Sequence, residues 1–233
     1  MPAFQYSPQI IENYPRVVGG IIIAKGISNP PTADALRERY FAEQEAVKSR
    51  IGEVALSDLE SLNAWRRAFS AFGVSPTQYR SAAEALLRRL TKKGDIPSIN
   101  TLVDIGNMVS IRYGLPVAIL DSQEIDGAVT VHYSDGTENY MELGSDELLH
   151  PDVGEVIFSD EKKMVLARRW CWRQSATSAA NENTTEAIIT VEAHHENAQG
   201  DIQKAVNDLL DLLKTYAGGT YESAILTAER PAI

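Results

Sequence analysis

The chain has 233 residues, of which 44% are hydrophobic, and its formal net charge is −10. This length suits one large domain with a sizeable core, and the apolar fraction favours a globular chain over a disordered one. No run of 18 apolar residues occurs, and the apolar segment 17–24 lacks the flanks of a signal peptide, so we expect no membrane contact and a cytoplasmic protein. The single cysteine fits a reducing compartment. The acidic balance argues against a general nucleic-acid binder, DNA-binding proteins included, but it does not exclude a local basic face.

In the first half of the chain, one strand precedes a series of helices. The Val- and Ile-rich stretch 14–26 reads as a buried strand. Thr32 and Ser57 are placed to cap the first two helices, and Gly94 and Gly114 to end the last two. The predicted helices are 33–50, 57–72 and 79–92, and a fourth that begins at Ser98 or Asn100 and runs to 113.

In the second half the pattern changes to short strands. They are predicted at 116–120, 128–133, 155–159, 164–168, 187–193 and 221–227, with one amphipathic helix at 199–216. The small, polar loop 175–185 looks the most flexible. Because helices come first and strands later, we predict an α+β fold.

The most specific pattern lies in the segment 94–121. It contains IPSIN at 96–100, LVDIGN at 102–107, GLP at 114–116 and an aspartate at 121, without a gap from 103 onward. This resembles the core of the B3/B4 domain, the tRNA-proofreading module of the phenylalanyl-tRNA synthetase β chain. The resemblance is strongest over 60–195. It implies one B3/B4-like domain over 1–233, with N-terminal helices packed on a β-sandwich-like core.

The resemblance also implies an activity, hydrolysis of a mischarged aminoacyl ester on a tRNA. Glu192, at the end of the segment TEAIITVE, matches the glutamate that lines the family's editing pocket, and it is the candidate catalytic residue. Two positions depart from the synthetase. Ala118 stands where the synthetase has a histidine, and Ile96 where it has an arginine. We therefore do not expect the synthetase's own tyrosine substrate, and whether catalysis is retained without the histidine stays open.

A cluster of arginines and tryptophans replaces the family's glycine-rich loop. Guanidinium groups bind phosphates or carboxylates through paired hydrogen bonds, and indole rings stack on bases. On a strand, Trp170 and Trp172 would share one face, opposite Arg169, Cys171 and Arg173. Alternatively, the tryptophans are core residues and the arginines pair with carboxylates. The candidate substrate-binding residues are Asn107, Arg168, Arg169, Trp170, Trp172, Arg173 and Gln174.

A locally basic stretch, 62–93, contrasts with the acidic remainder of the chain. It indicates either an RNA-binding face or a solvated helical surface. The candidate RNA-binding residues are Arg66, Arg67, Arg88, Arg89, Lys92 and Lys93.

No metal or other cofactor is predicted. Neighbouring residues on a strand point to opposite faces, so His194 and His195 do not form a ligand pair. Cys171 has no histidine near it in sequence that would activate it as a nucleophile.

These observations support three hypotheses. The first is an enzyme that deacylates mischarged aminoacyl-tRNA without a synthetase body, with tRNA or aminoacyl-tRNA as its partner. The second is a non-catalytic module that binds tRNA, an amino acid or a nucleotide. The third is an interaction domain that uses the Arg/Trp surface. The sequence does not specify the amino acid, the tRNA or the oligomeric state.

Overall fold

Two large β-sheets, a short two-stranded sheet and a layer of helices make up residues 3–145 and 147–233, which the computed structural model describes. The helices are α1 (Pro8–Asn13), α2 (Asp34–Ile51), α3 (Glu60–Ala71), α4 (Ala82–Lys93), α5 (Thr101–Tyr113) and α6 (Ala198–Tyr216). The strands are β1 (Phe4–Tyr6), β2 (Val18–Lys25), β3 (Val117–Asp121), β4 (Val129–Tyr133), β5 (Tyr140–Met141), β6 (Leu148–Leu149), β7 (Val156–Ser159), β8 (Val165–Arg168), β9 (Arg173–Gln174), β10 (Glu186–Ala193) and β11 (Thr220–Leu226).

The two large sheets differ in strand order. One has four antiparallel strands in the order β11-β2-β10-β3. The other has five strands in the order β1-β4-β7-β8-β9, in which β1 runs parallel to β4. Strands β5 and β6 form a separate two-stranded ladder.

The side chains of the central strands β2 and β10 point alternately to the two faces of the four-stranded sheet, and so they connect it to the five-stranded sheet on one side and to the helices on the other. On β2, Ile21 enters a core shared with the five-stranded sheet, whereas Ile22 enters a core shared with α2, α5 and α6. On β10, Ile188 and Ile189 divide in the same way. Successive side chains of a strand point to opposite faces, so the four-stranded sheet is covered on both sides. The predicted α+β fold, with helices on a sandwich-like core, is confirmed.

Two of the four predicted caps are wrong. Gly94, at φ 91°, ends α4 and Gly114, at φ 65°, ends α5 as expected, while Asn100 caps the start of α5. The Thr32 hydroxyl instead donates to the buried Asp104 carboxylate at 2.6 Å. Ser57 lies in a short 3-10 turn, and α3 begins after Leu59 without a side-chain cap. A buried carboxylate is destabilised more by a missing hydrogen-bond donor than a helix end that faces solvent is by a missing cap, which explains why the Thr32 hydroxyl bonds to Asp104.

Strand β1 and helix α1 were not predicted. The β1 strand is held from both sides, because the Ile233 amide donates to the Phe4 carbonyl at 3.0 Å and Phe4 lies in register with Val129 of β4. The chain ends therefore build one edge of the five-stranded sheet, and they deliver Tyr6 to the middle of the molecule. Among residues 3–145 and 147–233, the helices fall short of the length and apolarity that a membrane span needs.

Candidate functional site

Glu192 is the centre of the candidate site. It lies on β10 with only 2% of its surface exposed. The Tyr6 hydroxyl donates to its Oε1 atom at 2.7 Å, and the Trp170 indole N–H donates to the same atom at 3.1 Å. Within the described ranges, Oε2 accepts no hydrogen bond. One carboxylate oxygen is thus fixed, and the other is available to a ligand or water.

Burial changes the ionisation of this group. Desolvation raises the pKa of Glu192 from 4.5 to about 7, against the two hydrogen bonds from Tyr6 and Trp170, which lower it. The same burial, with the Glu192 charge nearby, raises the pKa of Tyr6 well above its ordinary value, so its hydroxyl stays a donor. A carboxyl that titrates near neutral pH can take up and release a proton under physiological conditions.

Glycine at position 19 makes room for this arrangement. Gly19 lies opposite Glu192 in the β2–β10 ladder. A Cβ atom at position 19 would collide with the Tyr6 hydroxyl. The glycine therefore permits the approach of Tyr6 to Glu192, which explains one of the two adjacent glycines in β2.

A cavity of about 80 Å³ adjoins Glu192. Thr190 lines it from the same strand face as Glu192, and Ala118 faces it from β3, where it pairs with Thr190. The position at which the synthetase pattern has a histidine thus borders the same cavity as Glu192. Apolar groups form most of the remaining wall, among them Val117, Phe158, Ala167, Trp170 and Cys171.

The segment that follows β8 is a tight turn, and the predicted sharing of a strand face is wrong. Arg169 and Trp170 have φ values of 44° and 62°, a left-handed conformation that side chains other than glycine rarely adopt. Trp170 is fully buried against Trp65 and His194, whereas Trp172 is half-buried beside Tyr79. The turn sends the two indoles to different surroundings, one to the core and one to the surface.

Glu155 explains where the first two arginines of the turn go. Its Oε1 accepts from Arg168 Nε and from the Arg169 backbone N–H, both at 2.9 Å, and its Oε2 accepts from an Arg168 terminal nitrogen at 2.7 Å. The Arg169 side chain lies 3.3 Å from Asp152. Both arginines are buried and neutralised. Phosphate binding by either arginine would require these ion pairs to open.

The remaining substrate-binding candidates separate into three environments. Arg173 is half-exposed and pairs with Glu142. The Gln174 amide donates to the carbonyls of Ile119 at 2.7 Å and Ser178 at 2.9 Å, so it braces the cavity wall. Asn107 lies on α5, beside Tyr40 of α2, and outside the lining of the cavity. The structure therefore brings Glu192, Trp170, Trp172, Arg173 and Gln174 together and leaves Asn107 apart.

The predicted RNA-binding residues also divide. Arg88, Arg89, Lys92 and Lys93 of α4 line one groove, which Trp172 and Arg173 close at one side. Arg66 instead pairs with the buried Glu84 at 2.6 Å. Arg67 lies beside Tyr14 and His194 in another depression, where it donates to Asn63. The α4 cations and the Arg/Trp turn, far apart in sequence, meet in space.

The two histidines have structural surroundings. His194 lies among the rings of Tyr14, Trp65 and Trp170, and burial lowers its pKa to about 3, so it is neutral at pH 7. His195 contacts Asp201 at 3.0 Å. In the described part of the chain, no group of three or more His, Cys, Asp or Glu side chains is arranged to hold a metal ion. Burial raises the pKa of the Cys171 thiol, which keeps it protonated.

Comparison with known proteins identifies the family. The model of the B3/4 domain family matches residues 64–218. The phenylalanine–tRNA ligase β subunit of Photorhabdus laumondii is 30% identical over 87 residues, which is 37% of this chain and 11% of the relative. The corresponding subunit of Shewanella oneidensis is 26% identical over 116 residues, 50% of this chain and 14% of the relative. The chain thus spans only a small part of these relatives.

A solved structure is also similar, an N-terminal fragment of the phenylalanyl-tRNA synthetase β-subunit from Pyrococcus horikoshii. The TM-score is 0.48 at 11% sequence identity, and the alignment covers 96% of this chain and 53% of the fragment. The family model alone covers more than half of the chain, and its range includes α4, α5, the Arg/Trp turn and Glu192. The protein belongs to the B3/4 domain family.

Proposed function

We propose that this protein hydrolyses the ester bond of an aminoacylated tRNA, with the aminoacyl group bound in the Glu192 cavity. The observation that carries this proposal is a buried carboxyl with a pKa of about 7 and one free oxygen beside a small cavity. The relatives named above are β subunits of phenylalanine–tRNA ligases, which supports a substrate attached to tRNA.

The chemistry requires one proton acceptor and one water. In its carboxylate form, Glu192 takes a proton from the water as the water oxygen bonds to the ester carbonyl carbon. The bond from that carbon to the ribose oxygen then breaks, and the proton passes from Glu192 to the ribose oxygen. The Thr190 hydroxyl, on the same cavity wall, would donate to the carbonyl oxygen as negative charge develops on it.

The cavity also restricts the acyl group. Its volume of about 80 Å³ exceeds what one water requires and suits a short side chain together with the reacting water. Its walls are mainly apolar, and Ala118 adds room where a larger residue would fill it. A small, weakly polar amino acid is therefore the expected substrate class.

A deacylation panel tests the proposal. Purified protein is incubated with tRNAs that carry different amino acids, and the release of each amino acid is measured against buffer. The variant Glu192→Gln keeps the shape and an acceptor for Tyr6 and Trp170 but cannot take the proton. We expect it to lose about 100- to 10,000-fold in rate.

Glu186→Gln provides the matched control, because Glu186 lies at the exposed start of the same strand. We expect it to deacylate at the parental rate. Deacylation of every substrate at the buffer rate by the parent protein would contradict the proposal, as would equal rates for the two variants.

Two observations favour a second function, a non-catalytic binding module. Tyr6 and Trp170 both occupy Oε1 of Glu192, and Ala118 leaves the cavity without the histidine of the synthetase pattern. This function predicts that an amino acid or nucleotide raises the melting temperature of the parent and of Glu192→Gln alike, while the parent shows no turnover.

A further inference from the structure

The groove along α4 has a strongly positive lining. It has a volume of about 470 Å³, and acidic side chains are lacking among the described residues that line it. Its charged residues are Arg80, Arg88, Arg89, Lys92, Lys93 and Arg173. A chain with a net charge of −10 thus concentrates positive charge in one concave place. Such a concentration of positive charge attracts an anionic partner.

Most of these charges are available to a ligand. Within residues 3–145 and 147–233, Arg88, Lys92 and Lys93 make no ion pair, and Arg89 has only a loose one with the exposed Asp95 at 3.6 Å. Exposed pairs of this kind contribute little to stability, so a ligand displaces them at small cost. This distinguishes the groove from the turn arginines that Glu155 neutralises.

The groove ends at a stack of rings and guanidinium groups. The guanidinium carbon of Arg169 lies 4.0 Å from the ring centre of Tyr79 and 4.6 Å from that of Trp172. Arg173 also lies over the Trp172 ring, at 4.6 Å. The Arg169 side chain is 9% exposed, whereas that of Arg173 is 51% exposed. The accessible layer of the stack is therefore Arg173, whose flat guanidinium can receive a nucleobase.

We infer that this groove binds a single-stranded RNA segment, with phosphates along α4 and a base stacked at Trp172 and Arg173. This inference rests on the proposed function for the choice of RNA. Residues four apart on a helix rise by about 6 Å, so Arg88 and Lys92 follow one another along the groove as successive phosphates do along a strand. A duplex keeps its bases paired and stacked internally, and it cannot offer one to Arg173.

The groove and the Glu192 cavity share two lining residues, Trp172 and Arg173. A strand that lies along α4 with its end at this stack therefore reaches the mouth of the cavity. The arrangement places the RNA and the ester that it carries on adjoining surfaces, with the half-buried Trp172 and the half-exposed Arg173 at the junction between them.

Fluorescence anisotropy with a labelled, non-aminoacylated RNA oligonucleotide tests the inference without any hydrolysis. We expect the single strand to bind at least tenfold more tightly than the same sequence in a duplex. Four phosphate contacts correspond to a slope of log K against log salt concentration of about −3 for a single strand. Equal affinity for the two forms would overturn the inference, as would tighter binding of poly-glutamate than of RNA.

Paired variants locate the site. Arg88→Gln with Lys92→Gln should reduce the slope to about −1.4, because two contacts remain. Trp172→Ala should weaken binding about tenfold, and Trp172→Phe should restore most of it. Lys204→Gln with Lys214→Gln on α6 removes the same charge outside the groove and should leave the slope unchanged. Equal slopes for the two double variants would overturn the inference.

The two proposals fail in different ways. Deacylation that depends on Glu192, together with RNA binding that is insensitive to the α4 charges, would remove the groove inference alone. Groove-dependent RNA binding without any deacylation would remove the hydrolase proposal and leave the groove inference in place.

Discussion

The Glu192 cavity and the α4 groove adjoin, yet their cations differ: those beside the cavity are paired with carboxylates, whereas those of α4 face solvent. Around the cavity, Glu155 neutralises Arg168 and Arg169, and the Glu192 carboxylate has no ion-pair partner among the described residues. In the groove, the cations of α4 face solvent with few partners. From the sequence alone, both sets of basic residues are candidates for binding an anionic ligand, but burial and pairing separate those that hold the structure from those that are available to a ligand.

The largest effect on stability is expected when Glu155, the buried partner of Arg168 and Arg169, is removed. Glu155→Ala would leave Arg168 and Arg169 buried without their shared partner, and we expect a loss of about 3–5 kcal/mol in the free energy of unfolding. Chemical denaturation at pH 7 measures this loss. The control is Asp152→Asn, which alters a partner of Arg169 whose side chain is 83% exposed. Similar losses for the two variants would show that the turn arginines do not depend on Glu155.

The second prediction concerns the pH dependence of stability. The pKa of Glu192 in the folded state is raised to about 7. Its contribution to the free energy of unfolding is therefore full below the ordinary pKa of 4.5, and this contribution is lost as the pH rises through 7. Above pH 8, the resulting loss in the free energy of unfolding is of the order of 3 kcal/mol. Glu192→Gln should therefore match the parent near pH 4.5 and be more stable than it at pH 8.5. A constant difference across this range would contradict the assigned ionisation.

A smaller effect should follow from removing one donor to Glu192. The Tyr6 hydroxyl stabilises the carboxylate, so Tyr6→Phe should raise the pKa of Glu192 further, by roughly one pH unit or less. Carbon-13 NMR of labelled glutamate carboxyl groups measures the midpoint. Tyr14→Phe is the control, because Tyr14 contacts the same aromatic cluster but does not donate to Glu192. An unchanged midpoint in Tyr6→Phe would show that this hydrogen bond does not tune the group.

The smallest effect is expected from removing a helix cap. It is measured by comparing a residue that caps its helix with one that was predicted to cap and does not. Asn100→Ala removes the oxygen that accepts the Val103 amide, and it should cost about 1 kcal/mol. Ser57→Ala changes a residue outside the α3 cap and should stay within about 0.5 kcal/mol of the parent. Thermal unfolding of both variants measures the difference. Equal losses would restore the capping role that the sequence predicts for Ser57.

Much of the fold could be predicted, because periodicity and end signals are local. Helices α2, α4, α5 and α6 and strands β2, β3, β4, β7, β8, β10 and β11 lie close to their predicted positions. Strand β1 could not be predicted, because its three residues depend on pairing with β4 and with the C-terminus. The motif in 94–121 identified the family from residues that mainly shape one helix and its ends.

The candidate site was less predictable. Glu192 could be selected from the family pattern, but its partners could not. Tyr6 reaches it from 186 residues away in sequence, across a glycine that carries no side chain. Nothing in the sequence marks Glu155, which stands at the start of a predicted strand, yet its carboxylate holds the Arg168 side chain and the Arg169 backbone N–H. The left-handed backbone at Arg169 and Trp170 has no sequence signal, because neither residue type favours it.

The pH dependence of deacylation tests the central claim most directly, namely that Glu192 in its carboxylate form activates the water. On the substrate that the panel selects, the buffer-corrected rate should rise through a midpoint near pH 7 and reach a plateau, while Glu192→Gln stays near zero throughout. The Glu186→Gln control should follow the parent. A rate without a midpoint between pH 5.5 and 8.5, or a Glu192→Gln variant that retains the parental profile, would contradict the claim.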